Sequence, residues 1–143
     1  REPDEGSAHV PDELQAELRG AVLDLNQAWV EGDLRRHVRH YASRVNYYNT
    51  RRLARSGIRR DRQRDLRRYP ERSIQIHDVR FERVDPERVR ALADKSWRLY
   101  GPQRGGREGR GVQEYVFKQD EDGKWYVVSE QLLEQTERRT PPP

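Results

Sequence analysis

The second half of the chain alternates apolar and polar residues, and this two-residue period predicts β-strands. Four such runs follow one another: Ser73–Val84, Val89–Tyr100, Gly111–Gln119 and Trp125–Leu133. An Asp-Pro pair separates the first two runs and an Asp-Gly pair the last two, and both pairs are frequent in tight turns. Between the middle runs, the glycine-rich segment Gly101–Gly111 is predicted to be a long mobile hairpin loop. The pattern therefore predicts a meander of four antiparallel strands.

The first half has a different period, because its apolar residues recur every three to four positions. The first series predicts a helix of about six turns that has Pro11 at its first position and ends at Gly32. Its apolar face consists of Leu14, Leu18, Val22, Leu25 and Trp29.

Shorter elements follow this helix. Asp33 is a suitable cap for a second helix over Leu34–Tyr41. A strand is predicted over Arg44–Asn49, and a third helix over Ile58–Tyr69, which Pro70 ends. The predicted order is α-α-β-α-β-β-β-β, so the fold class is α+β rather than alternating α/β. We divide the chain into a linker (1–10), one domain (11–134) and a polar, Pro-rich tail (135–143).

Composition narrows the classes of site that the chain can hold. It has no Cys, which excludes disulfides, thiolate catalysis and Cys-ligated zinc or iron–sulfur centres. No apolar run approaches the ~18 residues of a membrane span, so no membrane span is expected in this segment. It also has no Met, even at position 1, and we therefore expect a processed product or an excised domain of a larger protein.

The basic charge is concentrated in one segment. Residues 35–72 contain fourteen Arg and three acidic residues, a net charge of +11 within a chain of net charge +4. One interpretation is an anion-binding surface for the phosphates of nucleic acid or lipid. Its candidate residues are Arg59, Arg60, Arg64, Arg67 and Arg68. Asp61 and Asp65 weaken that field and nucleic-acid motifs are absent, so nucleic acid is an unlikely partner and a plain exposed helix face is the alternative.

Three motifs resemble the NTF2-like or SnoaL-like superfamily, also described as the cystatin-like α+β cone. The first is the helix end from Trp29 to Asp33, and the second is Tyr41 with the strand that spells VNYYN at 45–49. The third is the closing run GKWYVVSE at 123–130. The resemblance covers roughly residues 11–134. It implies a cone in which three N-terminal helices pack on a curved, mostly antiparallel sheet, with a pocket on the concave side and dimerisation through the outer face.

The resemblance also implies what an enzyme of this kind would need, which is an Asp or His base facing the pocket and a Tyr proton donor. The residues to test in that case are Tyr47, Tyr48, His77 and Asp78. His77 and Asp78 are neighbours on one strand, and alternation places their side chains on opposite faces. The sequence therefore offers no acid–base pair, and it favours a chain without catalytic activity.

A ligand pocket is predicted from polar and aromatic residues on the strands, namely Tyr47, Lys95, Trp97 and Tyr115. Glu114 and Tyr115 cannot both join it, because adjacent strand residues face opposite sides. The alternative is that Trp97 and Tyr115 are core residues and Lys95 pairs with a Glu.

A metal site is the remaining possibility, since His37 and His40 are spaced to share one ion on a helix. No third ligand is near and four Arg flank them, so we interpret this as a solvated face. We expect neither a metal nor a cofactor.

Three functional hypotheses remain open. The first is a non-catalytic module of a larger bacterial protein, which binds a small molecule in the cone or assembles as a homodimer through the sheet. The second is a SnoaL-like isomerase, dehydratase or cyclase that uses the pocket. The third is an anion-binding module that uses the Arg-rich segment 35–72.

Overall fold

The α+β class is confirmed by a computed structural model, which describes residues 9–49 and 51–143. The helices are α1 (Asp12–Glu31), α2 (Leu34–Val38) and α3 (Arg55–Arg68). The strands are β1 (Tyr41–Tyr47), β2 (Arg51–Leu53), β3 (Glu71–Asp85), β4 (Arg88–Gly101), β5 (Gly105–Gln119) and β6 (Trp125–Thr140). Among the described residues, no helix combines the length and apolarity needed to cross a bilayer.

The helix boundaries follow local sequence signals closely. Gly32 ends α1 in the left-handed conformation, with φ of 79°, which a residue without Cβ adopts at little cost. Asp33 then caps α2, because its side chain accepts a hydrogen bond from the Arg36 backbone N–H at 3.1 Å. The predicted second helix is too long, however, since Tyr41 begins β1.

The six strands form one sheet in the order β2-β1-β6-β5-β4-β3. All neighbours are antiparallel except β1 and β6, which run parallel. Strand β2 was not predicted, because three residues are too few to show a two-residue period. It pairs with β1 alone and forms an edge of the sheet.

The prediction of a long mobile loop over Gly101–Gly111 is wrong. The connection between β4 and β5 is only residues 102–104, and Gly105–Gly111 pairs with β4 on one side and β6 on the other. The glycines allow close strand approach, since a Cβ on Gly111 would lie 2.1 Å from the Glu134 carbonyl oxygen. β6 correspondingly extends to Thr140, into the segment that the sequence assigned to the tail.

Three of the β-bulges in the sheet lie where they change which side chains face the helices. Along β3 the pairing with β4 skips His77, and along β6 the pairing with β5 skips Val128 and Leu133. Each skipped residue shifts the alternation by one position. As a result, Val127 and Glu130 are both buried on the concave face although three positions separate them.

Two apolar clusters fill the space between α1 and the sheet. The larger one includes Leu18, Val22, Leu25, Tyr115 and Phe117. It also includes Val10, which is 3% exposed and comes from the predicted linker; residues 1–8 of that linker lie outside the described part. The smaller cluster is Trp29, Leu34, Tyr69, Trp97 and Leu99.

A glycine pair tests these close approaches. A Cβ on Gly101 would lie 1.9 Å from the Arg68 carbonyl oxygen, whereas a Cβ on Gly20 meets nothing within 4 Å. We expect Gly101→Ala to lower the free energy of unfolding by ~1–3 kcal/mol through overpacking. The matched Gly20→Ala, inside α1, should raise it by up to ~1 kcal/mol. Urea unfolding followed by circular dichroism measures both, and a neutral Gly101→Ala would show that β4 can move away from α3.

Candidate functional site

A cavity of about 220 Å³ lies on the concave side of the sheet, between α1, α3 and strands β3–β6. Its walls are apolar and largely aromatic: Trp29, Tyr69, Ile74, Trp97, Leu99 and Leu132. Its inner end is polar: Asn26, His37, Tyr48, Arg62, Lys95 and Gln113. The cavity is far larger than the ~10–15 Å³ that one water needs, and smaller than a typical drug-sized site. Its size therefore suits one small organic molecule.

A buried carboxylate organises the polar end. Glu130 is 1% exposed, and its Oε2 accepts from Gln113 Nε2 at 2.7 Å and from the Tyr48 hydroxyl at 3.0 Å. Its Oε1 accepts from the Tyr41 hydroxyl. Arg62 Nη2 donates to Oε2 at 3.0 Å and completes an ion pair between β6 and α3. Four donors thus satisfy this carboxylate inside the protein.

Arg62 is itself held between tyrosine rings. Its guanidinium carbon lies 5.4 Å from the Tyr47 ring centre and 6.0 Å from that of Tyr48. The two rings meet edge to face at 4.7 Å. Tyr48 has a positive φ of 54°, which is uncommon for an aromatic residue and brings its hydroxyl back to Glu130. Cation–π contacts and the ion pair together fix the Arg62 side chain.

The charge state of Glu130 results from opposing effects. Burial alone would raise the pKa of this carboxyl, but the Arg62 charge and the Tyr41 hydrogen bond together hold the pKa below its ordinary value. The side chain is therefore ionised at neutral pH. Because the folded pKa is the lower one, Glu130 stabilises the fold above its ordinary pKa of 4.5 and loses this effect as the pH falls through the folded pKa.

His37 is a neutral hydrogen-bond acceptor at the inner end. It is 1% exposed, so the prediction that its face is solvated is wrong for this residue. Nδ1 lies 2.8 Å from the Leu25 carbonyl oxygen, which can only accept, so Nδ1 carries the proton. Burial, with the nearby Arg62 charge, lowers the pKa of His37 to about 3. Nε2 is thus unprotonated, and it has no hydrogen-bond partner among the described residues.

His40, the other residue of that pair, takes a different role. Its Nε2 lies 2.7 Å from Asp24 Oδ2 on α1, outside the cavity. The two histidines therefore do not converge on one point. Within residues 9–49 and 51–143, no group of three His, Asp or Glu could hold a metal ion.

Lys95 presents an amine to the cavity from the middle of β4. Its Nζ lies 6.0 Å from the Trp97 ring centre, and among the described residues it has neither a hydrogen bond nor an ion pair. Burial lowers the pKa of Lys95 to about 8, against the attraction of Glu130 and with the help of the Arg62 charge. Two further lining residues carry buried donors without a hydrogen-bond partner among the described residues, Trp29 through Nε1 and Arg62 through Nε.

The predicted pocket residues separate into two groups. Lys95 and Trp97 line the cavity, as the shared strand face suggested. Tyr115 lies in the main core, where its hydroxyl accepts a hydrogen bond from Asn26 at 3.0 Å. Tyr47 is also in that core, and its hydroxyl donates to Asp61 at 2.8 Å. Glu114 faces the opposite side and pairs with Arg90 at 2.8 Å.

The predicted catalytic neighbours His77 and Asp78 are both exposed. The expectation that they face opposite sides is wrong, because the bulge at His77 turns both outward. His77 Nε2 contacts the Ser96 hydroxyl at 2.8 Å on the outer face, and Asp78 lies opposite Asp94 in the register of β3 and β4. Neither side chain lines the cavity.

The arginines of the predicted anion-binding surface are exposed on α3. They are Arg59, Arg60, Arg64, Arg67 and Arg68. Arg64 pairs with Asp61 at 2.5 Å. Other arginines of segment 35–72 have structural roles: Arg36 pairs with Asp24, and Arg72 donates to the Val30 carbonyl. The segment is therefore not one continuous basic surface.

Sequence reasoning missed Glu130, Arg62, His37 and Trp29 as parts of the site. Alternation from the buried Val127 would place Glu130 outside, and only the bulge at Val128 brings it inside. Arg62 is one of many arginines on its helix, and no sequence signal distinguishes it.

Removal of the buried carboxylate tests this arrangement. Glu130→Gln leaves Arg62 without its counter-charge, so we expect the free energy of unfolding at neutral pH to fall by ~3–5 kcal/mol. The difference from the wild type should shrink as the pH falls below about 4.5, because the unfolded chain then protonates this carboxyl while folded Glu130, with its lower pKa, is still ionised. Urea unfolding across this pH range measures it. Glu134→Gln, at an exposed position of β6, is the matched control and should change stability by less than ~0.5 kcal/mol. An equal effect of both variants would contradict the assigned role.

Comparison with known proteins supports the fold. No family model and no curated protein matches the chain. A candidate aromatic ring hydroxylase from Novosphingobium aromaticivorans superposes with a TM-score of 0.79, over 91% of this chain and 96% of its own, at 9% identity. A candidate dehydratase of the NTF2-like family from Streptomyces avermitilis gives 0.68, over 86% and 96%, at 17% identity. A Nostoc punctiforme protein of unknown function with a cystatin-like fold gives 0.68, over 87% and 92%, at 9% identity.

Identities this low establish architecture and leave activity open. The superpositions cover most of this chain and show a shared fold, as the resemblance of the three sequence motifs implied. The chain has the NTF2-like, cystatin-like α+β fold.

Proposed function

We propose that this chain is a non-catalytic ligand-binding module, which holds a small ring-containing molecule with an anionic oxygen in its cone cavity. One observation carries the proposal: several residues that line a cavity with aromatic walls carry polar atoms without protein partners. Trp29 Nε1, His37 Nε2 and Arg62 Nε are buried without a hydrogen-bond partner among the described residues, and the Lys95 amine has neither a hydrogen bond nor an ion pair there. Unpaired polar groups inside a protein are costly, so they indicate a ligand or ordered water. Donors of three kinds and one acceptor on residues beside flat side chains suit a small aromatic compound with oxygen substituents.

The balance of charges favours an anion near Lys95. The Arg62 charge is opposed by Glu130, and Arg107 at the cavity mouth pairs with Glu137 at 2.9 Å. Lys95 forms no ion pair with a carboxylate of the described residues. Asp65 is the acidic residue of the cavity lining, and burial raises the pKa of its carboxyl. An anionic oxygen at Lys95 would therefore gain a charge-assisted hydrogen bond with little competition.

The protonation states favour binding over acid–base catalysis. Glu130 uses its lone pairs on four donors, and His37 has too low a pKa to be an effective base at neutral pH. Tyr41 and Tyr48 donate to Glu130, and burial raises the pKa of both hydroxyls. The alternative of a SnoaL-like isomerase, dehydratase or cyclase is supported by the names of some structural neighbours. The exposure of His77 and Asp78 does not support it.

Assembly through the outer face of the sheet stays a proposal that comes from the fold resemblance. This face carries cross-strand ion pairs such as Arg98 with Glu108 and Arg110 with Asp94, each at 2.9 Å. A homodimer formed here would bury paired charges and should weaken as salt rises. Light scattering at low and high salt tests it, and a monomer at high concentration under both conditions would exclude this interface.

Titration with simple aromatic acids tests the ligand class. We expect benzoate, phenylacetate or indole-3-acetate to bind the cavity, at least ~10-fold more tightly than the neutral analogue benzyl alcohol. Tryptophan fluorescence should report binding, because Trp29 and Trp97 line the cavity. Lys95→Met should remove the preference for the acid, through the loss of one charged hydrogen bond of ~1.5–3 kcal/mol.

The chain offers a matched control for this charge. Lys118→Met removes a lysine of β5 that lies outside the cavity lining, and its affinity for the acids should be unchanged. Equal weakening by both variants would point to a general effect of net charge. No saturable binding of any of the three acids would overturn the proposal.

A further inference from the structure

Lys95 differs in position from the other lysines of the chain. The sequence has three, and Lys95 alone lines the cavity among the described residues. Lys118 is near the end of β5, and Lys124 is exposed in the turn between β5 and β6. A reaction of the amine in the cavity can therefore be distinguished from reaction at the protein surface.

The surroundings of Lys95 are those of a reactive amine. An amine becomes nucleophilic when it is desolvated or lies near another cation, since both favour the neutral form. Lys95 is half-buried beside the Trp97 ring, and it has no hydrogen-bond or ion-pair partner in the described part of the chain. The Arg62 cation lies close enough to oppose protonation of the amine. A lysine that only attracts an anion needs neither this desolvation nor a neighbouring cation, whereas a nucleophilic amine needs at least one of them.

We propose that Lys95 binds an aldehyde or ketone ligand covalently, as a reversible imine inside the cone cavity. The inference rests on the proposed function, because the carbonyl compound must enter the same cavity. The neutral amine attacks the carbonyl carbon, a C–N bond forms, and the oxygen takes one proton from nitrogen to give a carbinolamine. The C–O bond then breaks, and the hydroxyl leaves as water with the second nitrogen proton. No oxidant or reductant is consumed.

Charged and titratable groups from several elements face this amine or line the same cavity. They are Glu130 on β6, Arg62 and Asp65 on α3, His37 on α2, Arg107 on β5 and Tyr48 after β1. Glu130 favours the ammonium form and Arg62 favours the neutral amine, while His37 is neutral. The pKa of Lys95 is about 8, so a useful fraction of neutral amine exists near neutral pH.

Reductive trapping tests the inference on the intact chain. The protein is incubated with benzaldehyde and sodium cyanoborohydride, which converts an imine into a stable benzyl amine. Intact mass and peptide mapping then locate the adduct. At neutral pH we expect Lys95 to be labelled at least ~10-fold faster than Lys118 or Lys124, because the cavity binds the aldehyde beside Lys95 and burial lowers the pKa of its amine to about 8. The labelling rate should rise as the pH passes through about 8.

Variants and competition separate the possible outcomes. Lys95→Arg keeps the charge and should abolish the fast labelling, whereas Lys118→Arg should not. Benzoate should slow labelling of Lys95 if both compounds occupy the cavity.

Equal labelling of all three lysines in the wild-type chain overturns the imine proposal, and this test does not depend on the folding of any variant. If benzoate binds but Lys95 is not trapped, the proposed function stands and the imine fails. If benzoate does not bind while Lys95 is trapped, the amine is reactive and the anionic ligand class is wrong.

Discussion

The buried ion pair between Glu130 and Arg62 connects the two halves of the cone. It joins β6, one of the two central strands of the sheet, to α3. Burying two charges is costly unless other hydrogen bonds satisfy them. Here the hydroxyls of Tyr41 and Tyr48 and the amide of Gln113 supply those bonds. Loss of either charge would leave the other unpaired, so the position of α3 and the shape of the cavity depend on this contact.

The same pair sets the electrostatic character of the cavity. Because Glu130 neutralises Arg62, the cationic group that remains available to a ligand at the inner end is Lys95. The low pKa of His37, caused by burial and the Arg62 charge, makes that ring an acceptor and not a second cation. The residues that line this small cavity thus include a lysine, a histidine acceptor and an indole donor beside aromatic walls. This combination favours selective binding of an oxygen-bearing ring over general adsorption of apolar molecules.

Local signals made the helices and turns predictable. The spacing of apolar residues, Gly32 and the Asp33 cap act over a few residues, and α1 and α2 begin as they indicate. The glycine-rich segment misled the prediction, because glycine marks both loops and strands that approach closely. Gly111 belongs to the second case, with the Glu134 carbonyl in the place of its missing Cβ. The strand that approaches these glycines closely is β6, and its paired residues are more than twenty positions away in the sequence.

The sequence alone therefore determined the α+β class, the order of most elements and the membership of Lys95 and Trp97 in one strand face. These follow from periods and caps that neighbouring residues define. Only the tertiary structure decided which other polar groups meet. The bulges at His77 and Val128 reverse the alternation, so His77 and Asp78 face outward while Glu130 faces inward. Bulges depend on how two distant strands pair, and the pairing partner of Glu130 comes from a helix nearly seventy residues earlier. Such contacts leave no periodic trace in the sequence.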